Sequence, residues 1–285
     1  MRFFIILFFM MSMMNSYSQD AYILLNGKGK KAKYDKMVEQ MHEADVVLLG
    51  ELHNNPVCHW MQRRITEDIV QAGANPVLGA EMFESDNQLI IDEYLSGLIR
   101  MKDFEKEARL WSNYETDYAP LVQIAVDNDL KFVATNIPRR YAAMVNTTGL
   151  ESLSKLSPEA LSYIAPLPIA YDTANPSIKN MLEMDMGHGH GGGMENMTQA
   201  QSVKDATMAH FILQNRNEGQ VFIHYQGDFH SANQGGIYWY LKNQSPDLNI
   251  IVLSSKESSD LEFNEEWEGS ADYILVIDEN MTKTY

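Results

Sequence analysis

Short, almost continuously apolar segments recur along this chain of 285 residues, and helix-like segments separate them. A strand that is buried on both faces has this composition, because helices cover both sides of a parallel sheet. Six such segments occur, at 46–49, 76–82, 131–135, 220–225, 248–253 and 272–277. Apolar residues at helical spacing predict helices at 34–44, 57–72, 118–127 and 202–213. The alternation predicts an α/β fold, with a mainly parallel sheet flanked by helices.

The alternation lapses between residues 142 and 201, where prolines and short helical patterns replace it. We predict that 142–201 form a small helical lid subdomain, inserted before the fourth predicted strand. Residues 19–141 and 202–285 then form the α/β core. A stretch of the lid rich in glycine, histidine and methionine contains His188 and His190. Imidazole and thioether groups bind haem iron and also copper(I), whereas a solvated insertion with an incidental His-x-His pattern is the alternative.

The first 18 residues have the pattern of a secretory signal. Arg2 supplies a positive charge, a short apolar run follows, and Ser16 and Ser18 offer small residues at a cleavage site. The run is short for a membrane span, although an N-terminal anchor that stays attached is the alternative. The single cysteine, Cys58, lies far from the cleavage point, so we expect no lipid there. We therefore predict an exported protein that is periplasmic or secreted.

The charge of the chain excludes some partners. Lysine and arginine number 22 against 39 aspartates and glutamates, which gives a net charge of −17 at pH 7. Nucleic acid and anionic lipid repel so acidic a chain, and we expect neither as a partner. One cysteine also excludes an internal disulfide framework and a CxxC site.

Polar residues follow several of the apolar segments at the point where each strand is predicted to end. The first segment leads into Gly50-Glu51-Leu52-His53 and the fourth into Gly227-Asp228-Phe229-His230, so both motifs have the form Gly-x-x-His. Each glycine is expected to allow a sharp turn out of the sheet. Ligands bind outside the carboxyl ends of strands in an open parallel sheet. The residues expected to face one crevice there are Glu51, His53, Glu81, Asn136, Arg139 and His230.

Two imidazoles and a carboxylate form a ligand set for zinc or a similar divalent ion such as manganese. We predict His53, His230 and Glu81 as these ligands, with Asp228 or Glu51 orienting an imidazole. In a metal-dependent hydrolase, Glu51 or Glu81 would act as general base. The alternative is that the histidines only cap loops and that Glu81 pairs with a buried arginine.

Five segments carry a resemblance to a known family: VVLLGELHNNPVCHWMQ, VLGAEMFE, KFVATNIPRRYAAMV, QSVKDATMA and VFIHYQGDFHSANQGGIYWYL. Together they resemble the ChaN-like haem-binding uptake family, which is related to Tiki and erythromycin-esterase-like proteins. The resemblance runs over residues 44–253 and implies a parallel α/β core with a helical lid, export, haem binding and a role in iron acquisition. It also implies a tyrosine axial ligand and two haems stacked at a dimer interface. The Tiki branch implies a metalloprotease-like site on His53, His230 and Glu81.

Haem is therefore the expected cofactor, with a zinc or manganese ion as an alternative and copper as a third. Tyr171 is the leading candidate for the axial ligand, because it lies in the predicted lid opposite the crevice, and Tyr141 and Tyr163 follow. Arg139 or Arg140 would hold a propionate, and Asn136 would line the same pocket. A homodimer and an outer-membrane receptor are the expected partners. Haem binding in an iron or haem acquisition pathway is the predicted function, and a Tiki-like metal-dependent hydrolase is the alternative.

Overall fold

The computed structural model describes residues 20–185 and 193–285, which include a seven-stranded sheet. The strands are β1 (Tyr22–Asn26), β2 (Val46–Glu51), β3 (Val77–Glu84), β4 (Phe132–Asn136), β5 (Phe222–Gly227), β6 (Ile250–Ser258) and β7 (Tyr273–Asp278). The α-helices are α1 (Tyr34–His42), α2 (Pro56–Gln71), α3 (Gln88–Leu95), α4 (Met101–Glu107), α5 (Ala119–Asp127), α6 (Arg139–Thr148), α7 (Pro158–Leu161), α8 (Pro176–Asp185), α9 (Gly193–Asn215) and α10 (Gly236–Gln244).

The strands lie in the order β1-β7-β6-β2-β5-β3-β4. Only β1 runs antiparallel to its neighbour, and the other strand pairs are parallel. Every residue of β2 and β5 is buried, which is why these segments are almost continuously apolar in the sequence. The prediction of a mainly parallel α/β sheet flanked by helices is confirmed.

Helices cover both faces of this sheet. On one face α1, α2 and α5 contribute fully buried side chains such as Met37, Ile65 and Leu121. On the other face α9 and α10 contribute Met208 and Leu241. Burial of each such side chain stabilises the fold by about 1.5–3 kcal/mol. With both faces covered, the carboxyl ends of the strands are the open place where polar side chains can meet a ligand.

The edge strand β1 was not among the six predicted strands. Its five residues, YILLN, pair with β7 on one side only, and four of them are half-buried. A strand with one partner and little burial gives a weaker sequence pattern than β2 or β5. The other six strands all exist, with ends displaced by at most five residues from the predicted ones.

Residues around α6 and the start of α9 contain an apolar cluster separate from the two faces of the sheet. Its buried members include Val145, Leu153 and Val203. Helix α9 runs without interruption through the predicted lid boundary between residues 201 and 202, and therefore belongs to both segments. The division into lid and core stays a prediction.

Two predicted segments lie outside the described residues. They are the signal at residues 1–18 and the loop that contains His188 and His190. Within 20–185 and 193–285, no helix combines the length and apolarity that a bilayer crossing requires.

Candidate functional site

The site lies where the carboxyl ends of three adjacent strands meet. Strand β5 lies between β2 and β3, so the residues that follow these strands are neighbours in space. Pairing of β3 with β5 ends at Ala80, and the next residue, Glu81, is free of that ladder. Its Oε2 atom accepts the backbone N–H of Gly227 at 2.8 Å. The Glu81 carboxylate thus accepts a hydrogen bond that a backbone carbonyl would accept in a continued ladder. This bond holds the carboxylate at the end of β5.

His230 lies between two buried carboxylates. Its Nε2 atom is 3.1 Å from Oε1 of Glu81, and its Nδ1 atom contacts Oδ1 of Asp205 on α9. The His230 side chain is only 8% exposed, and that of Asp205 is fully buried. Each ring nitrogen thus faces a carboxylate oxygen, an arrangement that suits a proton on both nitrogens. The arrangement therefore favours the imidazolium form of His230.

The two charges in this pair stabilise each other. Burial lowers the pKa of His230, but the negative charges of Glu81 and Asp205 outweigh burial and raise the pKa to about 10. Burial raises the pKa of Glu81, but the charge and hydrogen bond of His230 outweigh it and hold that pKa well below its ordinary value. Near neutral pH the site therefore contains a buried imidazolium and a buried carboxylate.

A second carboxylate–imidazole pair lies at the end of β2. Glu51 Oε1 is 2.8 Å from Nδ1 of His53 and also accepts the hydroxyl of Tyr118 at 2.7 Å. Glu51 Oε2 accepts the side-chain amide of Gln62 at 2.7 Å. The His53 side chain is 34% exposed, and its ring packs edge-on against Trp111 with centroids 5.0 Å apart. Burial lowers the pKa of His53, but the Glu51 hydrogen bond and the nearby carboxylates raise it overall.

The two pairs meet above Gly227. A Cβ atom at this position would lie 2.8 Å from His53 Nε2 and 3.5 Å from Glu81 Oε2. A Cβ atom at Gly50 would lie 2.6 Å from Oδ1 of Asp228. Neither glycine has a positive φ, so the expected sharp turn is not why glycine is needed. Both positions instead require glycine because side chains approach the backbone closely.

The structure thus brings His53, His230, Glu51 and Glu81 together, as the sequence predicts. Asn136 joins them, since its amide nitrogen donates to the backbone carbonyl of Glu81 at 3.0 Å.

Asp228 does not orient an imidazole. Its carboxylate accepts the Lys256 ammonium at 2.6 Å and the backbone N–H of Ser255 at 3.2 Å. Glu51 is the residue that orients an imidazole, that of His53.

Tyr171 approaches the site from the side of α9. Its hydroxyl is 2.8 Å from Oγ1 of Thr198, and Gln201, three residues further along α9, lies 2.8 Å from Nδ1 of His230. Three residues of a helix rise by about 4.5 Å, so roughly one turn of α9 separates the two contacts. The phenol and the His230 imidazole therefore lie against one helix.

The predicted arginines and Tyr141 lie on α6, at its exposed start. Arg140 forms an ion pair with Asp86 at 2.6 Å, and its guanidinium lies 4.3 Å from the centre of the Tyr141 ring. Arg139 is exposed and makes no ion pair within the part of the chain that the structure describes. Arg139 is therefore more available to an anionic ligand than Arg140.

Sequence reasoning missed Asp205, Tyr118 and Gln62. A signal existed for Asp205, because it interrupts the apolar positions Val203 and Ala206 of a helix that packs on the sheet. Tyr118 and Gln62 lie in segments whose contact with Glu51 depends on tertiary packing, and no local pattern marks them.

The described side chains of the site do not offer a set of ligands to a divalent metal ion. Among residues 20–185 and 193–285, no group of three histidine, cysteine or acidic side chains is arranged to hold a metal ion. The geometry therefore does not support a zinc or manganese ion on His53, His230 and Glu81.

Comparisons with known proteins agree with the fold and identify a family. The sequence profile of the family described as haem-binding uptake, Tiki superfamily, ChaN matches residues 37–241. The structure of ChaN of Campylobacter jejuni with cofacially bound haem is similar, with a TM-score of 0.69 and 18% identity; the match covers 90% of this chain and 97% of that chain. An erythromycin esterase mutant in its open conformation is similar with a TM-score of 0.51 and 9% identity, over 91% and 99% of the two chains. At these identities the two structures show a shared fold alone. The chain matches none of the functionally curated proteins.

We expect His230 to keep both ring protons until the pH approaches about 10, as nitrogen NMR of the imidazoles would show. His224 is an internal control, because burial lowers its pKa to about 4 and it should stay neutral at pH 7. Replacement Asp205→Asn should lower the pKa of His230, because one of the two carboxylates is removed. Loss of a His230 proton near pH 6.5 in the wild type would contradict this arrangement.

The same protonation makes stability depend on pH. The pKa of His230 is raised in the folded chain, so its stabilisation is complete below pH 6.5 and is lost as the pH rises through about 10. The free energy of unfolding should therefore fall across this window by at most about 1.4 kcal/mol per pH unit.

Proposed function

We propose, from the premise that this chain belongs to the haem-binding uptake family of the Tiki superfamily (ChaN), that it binds haem at the carboxyl edge of its sheet for haem or iron acquisition. The family match over residues 37–241 is the observation that carries this proposal. The related ChaN of Campylobacter jejuni is described with cofacial haem, and that chemistry is applied to this chain as part of the proposal.

Tyr171 fits the role of axial ligand. If haem binds here, the Tyr171 phenolate oxygen would hold its iron, and the haem would supply that iron as the metal centre. The Tyr171 hydroxyl contacts Oγ1 of Thr198, a neutral partner, at 2.8 Å. Tyr118 is less suitable, because burial and the Glu51 carboxylate raise its pKa far above the ordinary value.

Exposed apolar side chains, close along the chain to Tyr171 and its contacts, are available to a porphyrin. Two exposed apolar residues are sequence neighbours of residues in the site. Met197 precedes Thr198, which contacts Tyr171, and Phe229 precedes His230. Leu167, four residues before Tyr171, is also exposed. An apolar macrocycle would cover these side chains, and burial of apolar surface favours its binding.

Exposed Arg139 is the cation that we assign to a haem propionate, because Arg140 already pairs with Asp86. Tyr141, whose ring lies beneath the Arg140 guanidinium, would form part of the same rim. His188 and His190, outside the described residues, are proposed as further contacts from the loop between α8 and α9. A signal at residues 1–18 would place the protein in the periplasm or outside the cell, where a homodimer and an outer-membrane receptor would be its partners.

Haem titration of the purified protein tests this proposal. We expect a saturable shift of the Soret band, and Tyr171→Phe should weaken binding by at least about tenfold because the ligand oxygen is lost. Tyr238→Phe, which makes the same chemical change on α10, should bind haem like the wild type. The double variant His188→Ala/His190→Ala reports whether that loop contributes a ligand. Absence of saturable binding would reject haem binding, and equal affinity of Tyr171→Phe and wild type would reject this ligand.

Hydrolysis is a second candidate function, and the Glu51–His53 pair favours it. The buried carboxylate fixes Nδ1 of His53, and the partly exposed ring directs Nε2 toward the space above Gly227. An imidazole held in this way can accept a proton from water, while the buried imidazolium of His230 stabilises negative charge. This mechanism differs from the predicted one, since His53 is the base and no metal takes part in the proposed step.

An esterase assay with an activated aryl acetate tests the second candidate. His53→Gln should lower the rate about 10²–10⁴-fold because the general base is lost, whereas exposed His42→Gln should leave it unchanged. Treatment with a chelator should have no effect on the wild-type rate. A rate that disappears with the chelator would contradict a metal-free mechanism, and a rate indifferent to His53→Gln would eliminate the candidate.

A further inference from the structure

A surface groove runs along α1 and α2, and two regular stripes of side chains form its walls. Positions four residues apart on α2 form one wall and fall on one face of the helix. Neighbouring positions of α1 form the other wall. The α2 stripe consists of Trp60, Arg64, Asp68 and Ala72, and the residues of α1 and its C-cap that line the groove are Tyr34, Asp35, Val38, Glu39, His42 and Glu43.

One end of the groove is aromatic. Trp60 is 49% exposed, and its ring lies 5.8 Å from that of Tyr22 at the start of the edge strand β1. Tyr34 lines the same hollow, and its hydroxyl donates to Asp68 Oδ2 at 2.8 Å. A half-exposed tryptophan face is the best aromatic surface for a guanidinium or ammonium group.

The groove carries excess negative charge along its length. Four carboxylates line it: Asp35, Glu39, Glu43 and Asp68. Two cations offset them, since Lys36 pairs with Glu39 and Arg64 pairs with Asp68. Asp35 and Glu43 are exposed and form no ion pair within 20–185 and 193–285, so these carboxylates, which have Lys36 near them, can attract a cationic partner. A second copy of this chain is a poor occupant, because its net charge of −17 is repelled here.

We propose that this groove binds a basic, extended peptide segment of a partner protein. From Trp60 to Ala72 the helix rises about 18 Å, which equals the length of about five or six extended residues. One arginine or lysine of the segment lies on the Trp60 ring, and further basic side chains reach Asp35 and Glu43. The groove lies outside the strand-end site, so this inference does not depend on the proposed haem binding.

Fluorescence anisotropy with a labelled hexapeptide of alternating arginine and glycine tests the proposal. The glutamate–glycine hexapeptide is the control probe and should not bind. Trp60→Ala should weaken binding of the arginine peptide several-fold to about tenfold, because the cation–π contact is lost. Leu98→Ala, which truncates another exposed apolar side chain, should bind it like the wild type.

A matched pair of charge variants distinguishes binding in the groove from general attraction of a basic peptide to an acidic chain. Asp35→Asn/Glu43→Gln should weaken binding, whereas Glu265→Gln/Glu266→Gln removes the same charge from an exposed 3₁₀ turn and should not. Circular dichroism establishes that each variant is folded. Equal losses in the two double variants, or unchanged affinity in Trp60→Ala, would overturn the proposal. A change of oligomeric state on sedimentation of Trp60→Ala, with peptide affinity retained, would assign the groove to a second copy and overturn it as well.

Discussion

The buried ion pair between Glu81 and His230, completed by Asp205, is the constraint on which the rest of the site depends. A charge buried alone costs several kcal/mol, so each of these side chains requires the others. Glu81 belongs to β3, His230 follows β5 and Asp205 belongs to α9. The pair therefore joins two strands and a helix at one point. It also holds α9 against the sheet edge, which sets where the rest of that helix lies.

The position of α9 links the polar interior of the site to the proposed haem site. Along one helix, Asp205 and Gln201 contact His230, and Thr198 contacts the Tyr171 hydroxyl. The same helix passes from the α/β core into the predicted lid segment without a break. A ligand that binds Tyr171 would therefore be held against the strand ends by a rigid element. Because one continuous helix contacts both His230 and Tyr171, these two residues can belong to a single site at the carboxyl edge of the sheet.

Much of the sheet and the meeting of the two Gly-x-x-His motifs could be predicted, because both follow from local patterns and one topological rule. Apolar segments such as β2 indicate buried strands, and parallel strands place their carboxyl ends at one edge. Edge strand β1 could not be found in this way, because its burial is slight. Of the carboxylates that contact the imidazoles, Glu51 and Glu81 were predicted in the site, whereas Asp205 was missed. Asp205 reaches His230 through helix packing, and together with Glu81 it favours the imidazolium form of that side chain.

A crystal structure of the haem complex, with anomalous scattering measured at the iron edge, tests the central claim most directly. The account predicts an iron peak beside the Tyr171 hydroxyl, on the side of α9 that faces His230, with the Glu81–His230 pair unchanged. An iron peak remote from the carboxyl ends of β2, β3 and β5 would contradict it.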